Sequence, residues 1–232
     1  MLSFLPEFNS VVYTPSRSPD INRFINGAEM KTLAALVFPG FQTLDLYGPI
    51  EMLGDHYLGA VDIKIVAETL DPVPSYHGTR TAVDRTLEES TNYDLILIPG
   101  GDSAPLEPRN DAINKWIVEA SGNAEYVMAV CTGTVLLATT GLLDGRRATT
   151  NKKDYKATIP YGPNVEWVPK ARWVEDGKFF TSSGVSAGMD MSLAVMAKLF
   201  GRQAAQAIAF GAEYEWHQDP NWDPFAKSAG LV

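Results

Sequence analysis

Glu125-Tyr-Val-Met-Ala-Val130, followed at once by Cys131-Thr132-Gly133, is the stretch that decides the architecture. Its aromatic and β-branched residues, with almost no polar alternation, read as a strand covered on both faces. The Thr-Gly-Thr run after Cys131 supplies hydroxyls and a tight turn, and Val135 to Thr140 reads as an apolar helix. Gly141 closes that helix in the manner of a C-cap. A cysteine between a strand and a helix sits where free amides and the helix dipole favour a thiolate. Hydrolases place a serine at the same strand–nucleophile–helix elbow. The competing reading of Cys131 is a small buried hydrophobe; the turn chemistry around it favours the nucleophile.

Two further apolar runs lie upstream. Thr32-Leu-Ala-Ala-Leu-Val-Phe38 stops at Pro39-Gly40, and Asp94-Leu-Ile-Leu-Ile98 stops at Pro99-Gly100-Gly101-Asp102. Both read as buried strands, and the consecutive glycines let backbone N–H groups approach a ligand closely. Thr43 to Gly54 reads as a short helix with Thr43 as its N-cap. Val61 to Ala67 alternates like a strand, and Thr79 to Val83 is expected as another near an edge. Asp111 to Ser121 has helical spacing at Ile113, Trp116, Ile117 and Ala120. Ala171–Glu175 and Lys178–Thr181 flank Asp176-Gly177, a hairpin signal. Ser186 to Phe200, closed by Gly201, and Arg202 to Trp216 read as the last two helices.

Strands alternating with helices predict an α/β fold with a mostly parallel sheet and helices on both faces. Ligands in such sheets gather at the carboxyl ends of the strands. Residues 1–30, with Pro6, Pro15 and Pro19, read as an N-terminal extension, and 31–232 as the folded domain. With 232 residues and a net charge of −9, the chain is large enough for a substantial core and lacks the basic surface of a nucleic-acid groove. No apolar run reaches the length of a membrane span, and one cysteine permits no internal disulfide. The expectation is a cytoplasmic protein without nucleic-acid or membrane partners. No Cys/His/carboxylate cluster has metal-ligand spacing and no phosphate loop follows Gly100-Gly101, so neither a metal nor a cofactor is expected.

Three stretches together carry a resemblance: Leu95-Ile-Leu-Ile-Pro-Gly-Gly101; Ala129-Val-Cys-Thr-Gly133 with Gly141-Leu-Leu-Asp-Gly-Arg-Arg-Ala-Thr-Thr150; and Ser183-Gly-Val-Ser-Ala-Gly-Met-Asp190. They resemble the ThiJ/PfpI superfamily, relatives of class I glutamine amidotransferases. Phe38-Pro-Gly-Phe-Gln-Thr-Leu-Asp-Leu-Tyr-Gly-Pro49 and Val-Cys-Thr-Gly are most similar to its isonitrile (isocyanide) hydratase-like branch. The resemblance implies a flavodoxin-like three-layer sandwich, a homodimer and no cofactor. It also implies Cys131 as nucleophile and Asp45 as the acidic residue hydrogen-bonding the sulfur. Thr132 would hold substrate through its amide and hydroxyl, and Gly101, beside Gly100, would be a backbone donor facing the same pocket.

Without the resemblance, Asp45 reads as a first-turn carboxylate facing the helix dipole. Related chains often place a histidine after the Ala-Thr-Thr strand; here Asn151 stands there and could orient substrate. Of His56, His77 and His217, none is placed by a motif. His217 either caps a helix end or lines a pocket. Tyr214, Trp216 and Trp222 form either a lid or a packing cluster.

The expected activity is cofactor-independent hydration of a small electrophile such as an isonitrile, giving an N-substituted formamide. A glyoxalase-type reaction on a 2-oxoaldehyde, or a redox-sensing or ligand-binding role for the same cysteine, stands as the alternative. Pocket walls are expected from residues 102–108, 151–162 and 214–225.

Overall fold

The computed structural model describes residues 29–54, 59–102 and 110–232. Most of the expected extension, His56 and most of the 102–108 loop therefore lie outside the described residues. The chain forms β1 (Lys31–Leu36), α1 (Thr43–Leu53), β2 (Val61–Ala67), β3 (Val73–Pro74), β4 (Arg80–Thr81), β5 (Arg85–Thr86) and β6 (Leu95–Ile98). There follow α2 (Asp111–Asn123), β7 (Tyr126–Val130), α3 (Gly133–Thr139), β8 (Arg147–Ala148), α4 (Tyr155–Thr158) and a 3-10 turn at Ile159–Tyr161. The last elements are β9 (Glu166–Trp167), β10 (Trp173–Asp176), β11 (Phe179–Ser182), α5 (Ala187–Phe200), α6 (Arg202–Gly211) and α7 (Phe225–Ser228).

Seven strands form one sheet in the order β10-β11-β7-β6-β1-β2-β5. All neighbours run parallel except β10 and β11, which pair antiparallel across the Asp176-Gly177 turn. Every residue of β6 and the last four of β1 and of β7 are buried. That is why those runs carry no polar alternation: a strand covered on both sides has no solvent face. With helices packed on the sheet, this is the flavodoxin-like α/β sandwich expected.

The chain leaves β1 toward β2 on one side and returns to β6 on the other. The order thus reverses between β1 and β6, making a crevice at their carboxyl ends. Cys131 follows the next strand, β7.

Local differences from expectation have identifiable causes. Thr43 is the first residue of α1, not its cap; Gln42 holds the cap position without a side-chain bond. The Thr43 hydroxyl is paired with His77 Nδ1 at 2.9 Å instead. The expected 79–83 edge strand shrinks to β4, paired with β3 in a separate two-stranded ribbon. The sheet edge is taken by β5, too short to show a period. The last long helix ends at Gly211, because Glu213 adopts a positive φ and Tyr214 and Trp216 turn inward to Asp190.

Candidate functional site

Cys131 stands directly after β7 with φ of 57°, in the left-handed region that few non-glycine residues adopt. Its conformation is held from several sides. Its N–H donates to Ser182 O at 3.2 Å. Its carbonyl accepts from Thr150 Oγ1 at 2.8 Å and from Thr134 N at 3.3 Å. Strain of this kind persists only where surrounding bonds over-determine it. The sulfur is nearly buried, with the residue 6% exposed.

Asp45 reaches the site from the first turn of α1 and is fully buried. Its Oδ2 accepts from Gly100 N at 2.9 Å, while Oδ1 has no nitrogen or oxygen partner among the described residues. The carboxyl lies beside the Cys131 thiol. The helix-dipole reading of Asp45 therefore gives way to a paired acid. Burial pushes its pKa up to about 7, against the Gly100 amide and the Cys131 contact, which pull it down. Burial also pushes the Cys131 thiol up, and the negative charge of Asp45 adds to that; the Thr132 and Val185 amides oppose both. The two groups titrate as a pair, so a proton on Asp45 removes one of the causes that hold the thiol neutral, beside burial and the more distant charge of Asp154.

The glycines serve a different purpose from the one expected. Gly100 donates to Asp45, and Gly101 N donates to Thr132 Oγ1 at 2.9 Å, while that hydroxyl donates back to Gly101 O at 3.1 Å. Gly101 is therefore a brace and not a free donor, and the Thr132 hydroxyl is likewise committed. A Cβ on Gly100 would come within 2.6 Å of Thr132 Oγ1 and 2.8 Å of Asp45 Oδ2; one on Gly101 would meet Gly40 O at 2.3 Å. These positions are glycine because three loops converge there with no room for a methyl group.

The amides that face the sulfur belong to Thr132 and Val185. Val185, a β-branched residue with φ of 35°, is a conformational outlier. Sequence reasoning missed it, although it lies inside the Ser183–Asp190 run already singled out. Nothing in a valine's identity announces that its backbone N–H will be turned onto a thiol.

Asn151 is buried, donating from Nδ2 to Asp154 Oδ2 at 2.7 Å, while its Oδ1 has no partner among the described residues. Since an amide nitrogen must face the carboxylate, the unpaired atom is an acceptor. A cavity of about 690 Å³ is lined by Asn151, Lys153, Val185, Ser186, Phe225 and Ala229. A second, of about 250 Å³, is lined by Gly101, Thr132, Lys153, Asp154 and Tyr161. Thr132 and Val185, whose amides face the sulfur, thus open onto one cavity each, and Lys153 borders both. The expected walls at 151–162 are found, and the C-terminal wall comes from 225–229.

His217 and the C-terminal aromatics pack. His217 stacks on Trp222 at 4.0 Å between centroids, Arg172 lies over Trp222, and Tyr214, Trp216 and the His217 amide all bond to Asp190. The lid reading is not met. His77 is exposed and bonds to Thr43. No group of three metal-ligating side chains occurs among the described residues, nor any helix long and apolar enough to cross a membrane.

A cysteine elbow one strand from the switch point of a mostly parallel sheet, backed by a buried carboxyl, defines a class of α/β proteins built around one thiol. Within it the chain belongs to the DJ-1/PfpI family, whose model matches residues 31–198. It is 34% identical over 180 residues to isonitrile hydratase of Pseudomonas putida, covering 77% of this chain and 76% of that one. A THiJ/PfpI family protein from Pseudomonas syringae superposes with a TM-score of 0.77 at 28% identity, over 96% of this chain and 93% of that one. An HTH-type transcriptional regulator, CdhR of Pseudomonas aeruginosa, is 28% identical over 75% of this chain and 52% of its own length. The family thus serves more than one function, and the site must decide among them.

Proposed function

We propose that the protein is a cysteine-dependent hydratase acting on a small electrophile of the isonitrile class, releasing an N-substituted formamide without a cofactor. One observation carries the reading: a fully buried carboxyl, with its pKa near 7, lies directly beside the thiol. The carbon of an isonitrile takes up a nucleophile and a proton at the same atom. An acid adjacent to the nucleophile suits that addition; a histidine placed to serve a leaving amine does not arise, because Asn151 stands there.

In the reactive form the proton rests on Asp45 and the sulfur is an anion faced by the Thr132 and Val185 amides. Sulfur bonds to the isonitrile carbon and Asp45 delivers its proton to that carbon, leaving a thioimidate, R–N=CH–S–Cys131. Water then adds, the C–S bond breaks, and R–NH–CHO leaves. The cavity walled by Val185, Phe225 and Ala229 offers apolar space for the R group. The 34% identity to a named isonitrile hydratase supports the same substrate class. We assign the protein a homodimeric state on the family resemblance, to be tested by light scattering.

Cys131→Ala removes the nucleophile and is expected to bring isonitrile turnover down to background while the circular dichroism spectrum is unchanged. Turnover surviving in that variant sinks the mechanism.

A further inference from the structure

We infer that Asp154 is the base that takes the proton from the attacking water, with Asn151 holding its carboxylate in place. This rests on the hydratase reading and concerns its second half. The thioimidate carbon must be attacked by water arriving from an open cavity, and that water must lose a proton. Asp45 reaches the reacting carbon from the buried side, held on the Gly100 amide, and lines neither cavity from which water arrives. A second base has to face the cavity.

Asp154 does. It is partly exposed and lines the cavity of about 250 Å³ together with Thr132, the residue next to the nucleophile. Asn151 Nδ2 holds its Oδ2 at 2.7 Å, and Asp154 makes no other side-chain hydrogen bond among the described residues. The other oxygen is left to accept from water. Asn151 is itself fixed close to the cysteine turn. The preceding residue, Thr150, bonds to the Cys131 carbonyl at 2.8 Å, and Gly184 leaves only 3.3 Å between its missing Cβ and that of Asn151. Gly184 in turn precedes Val185, whose amide faces the sulfur. The negative charge of Asp154 is felt at the thiol, as its closeness requires.

The proton traffic then balances. Water oxygen bonds to the thioimidate carbon as Asp154 takes one proton, and the C=N electrons move to nitrogen, which accepts that proton back. The carbinol intermediate, R–NH–CH(OH)–S–Cys131, gives its hydroxyl proton to Asp154 as the C–S bond breaks and the sulfur leaves as a thiolate. That proton returns through solvent to the Asp45 carboxylate, which restores the starting pair. Overall one water and one isonitrile become one formamide. Asp154 is thus a catalytic residue, and Asn151 a positioning residue acting through it.

The test uses the full chain and benzyl isonitrile. Wild type, Asp154→Asn, Asp154→Glu and Asn151→Ala are compared for N-benzylformamide production and, by intact mass, for the adduct on Cys131. Asp154→Asn is expected to form the adduct within about threefold of the wild-type rate but to turn over about 10²-fold more slowly. The adduct then accumulates, and added formate restores part of the rate. Asp154→Glu should retain more activity than Asp154→Asn, and Asn151→Ala should lower kcat and shift its pH profile while leaving KM nearly unchanged. If Asp154→Asn does not fold, Asp154→Ala with formate rescue gives the same readout. Turnover in Asp154→Asn within twofold of wild type, or adduct formation lost in step with turnover, overturns the inference alone. A wild type that forms neither adduct nor formamide removes the hydratase reading and the inference with it.

Discussion

Asp45 and Asp190 are two carboxylates buried to the same extent, on α1 and α5 respectively, and both show no exposed surface. They are solved in opposite ways. Asp190 receives Arg172 Nε at 2.7 Å on one oxygen, and Tyr214 Oη at 2.9 Å with the His217 amide at 3.0 Å on the other. A charge taken out of water needs such partners, and here every lone-pair direction of consequence is used. Asp45 has one amide and one thiol, and no cation among the described residues. The shortage keeps its proton available near neutral pH. The first arrangement pins the C-terminal segment to the domain; the second leaves an acid poised against a nucleophile. An incompletely compensated buried group is a mark of chemistry, and a fully compensated one a mark of architecture.

Arg172→Ala attacks the satisfied site and should have the largest effect on stability. It strips Asp190 of its cation, removes the contact to Ser186 and uncovers Trp222. Leaving a buried charge unpaired costs about 3–5 kcal/mol, to be read as a fall in the urea midpoint. A loss under about 1 kcal/mol would mean that the tyrosine and amide suffice.

Asp45→Asn attacks the unsatisfied site and should behave differently. A carboxyl raised from 3.8 to about 7 in the folded state binds its proton more tightly there than in the unfolded chain. The contribution of this group to stability is therefore fully present below pH 4 and falls as pH rises, at up to about 1.4 kcal/mol per unit, until pH passes 7. Wild type should lose about 2 kcal/mol from this group between pH 5 and 7, and Asp45→Asn should not. Denaturation at the two pH values checks the difference, and an identical pH slope would refute the assignment of the raised group. Turnover of the variant should fall about 10²-fold or more.

The smallest effect is expected from Trp222→Ala, which removes the stack on His217 and the cation contact with Arg172 at the rim. About 1 kcal/mol of stability should be lost with isonitrile turnover unchanged. A large loss of turnover would restore the C-terminal aromatics to the site and blur the distinction between the two regions.

Much of this was legible in the chain. Buried strands declare themselves by unbroken apolar runs, because no face of them meets water. The elbow at Cys131 follows from a strand running straight into Thr-Gly-Thr, and Asp45 came from the resemblance of the Phe38–Pro49 run. Legibility failed where a residue acts through its backbone or through a neighbour. Val185 contributes an amide, which every residue but proline has. Asp154 matters because Asn151 holds it, a relation set by the turn before α4 and invisible in residue type. The short strands β5, β8 and β9 are defined by their partners, not by any period of their own.

By itself, the sequence determined the parallel sandwich, the cysteine at its crevice and the glycines that let three loops meet. Only the tertiary structure decided what those glycines do. Their amides are spent on Asp45 and Thr132 rather than offered to a ligand, because the loops close to 2.9 Å contacts that no side chain could separate. It also decided that, among the described residues, the carboxyl beside the thiol has no cation to neutralise it. Desolvation depends on what the whole fold brings around a group, and no local pattern of residues records that.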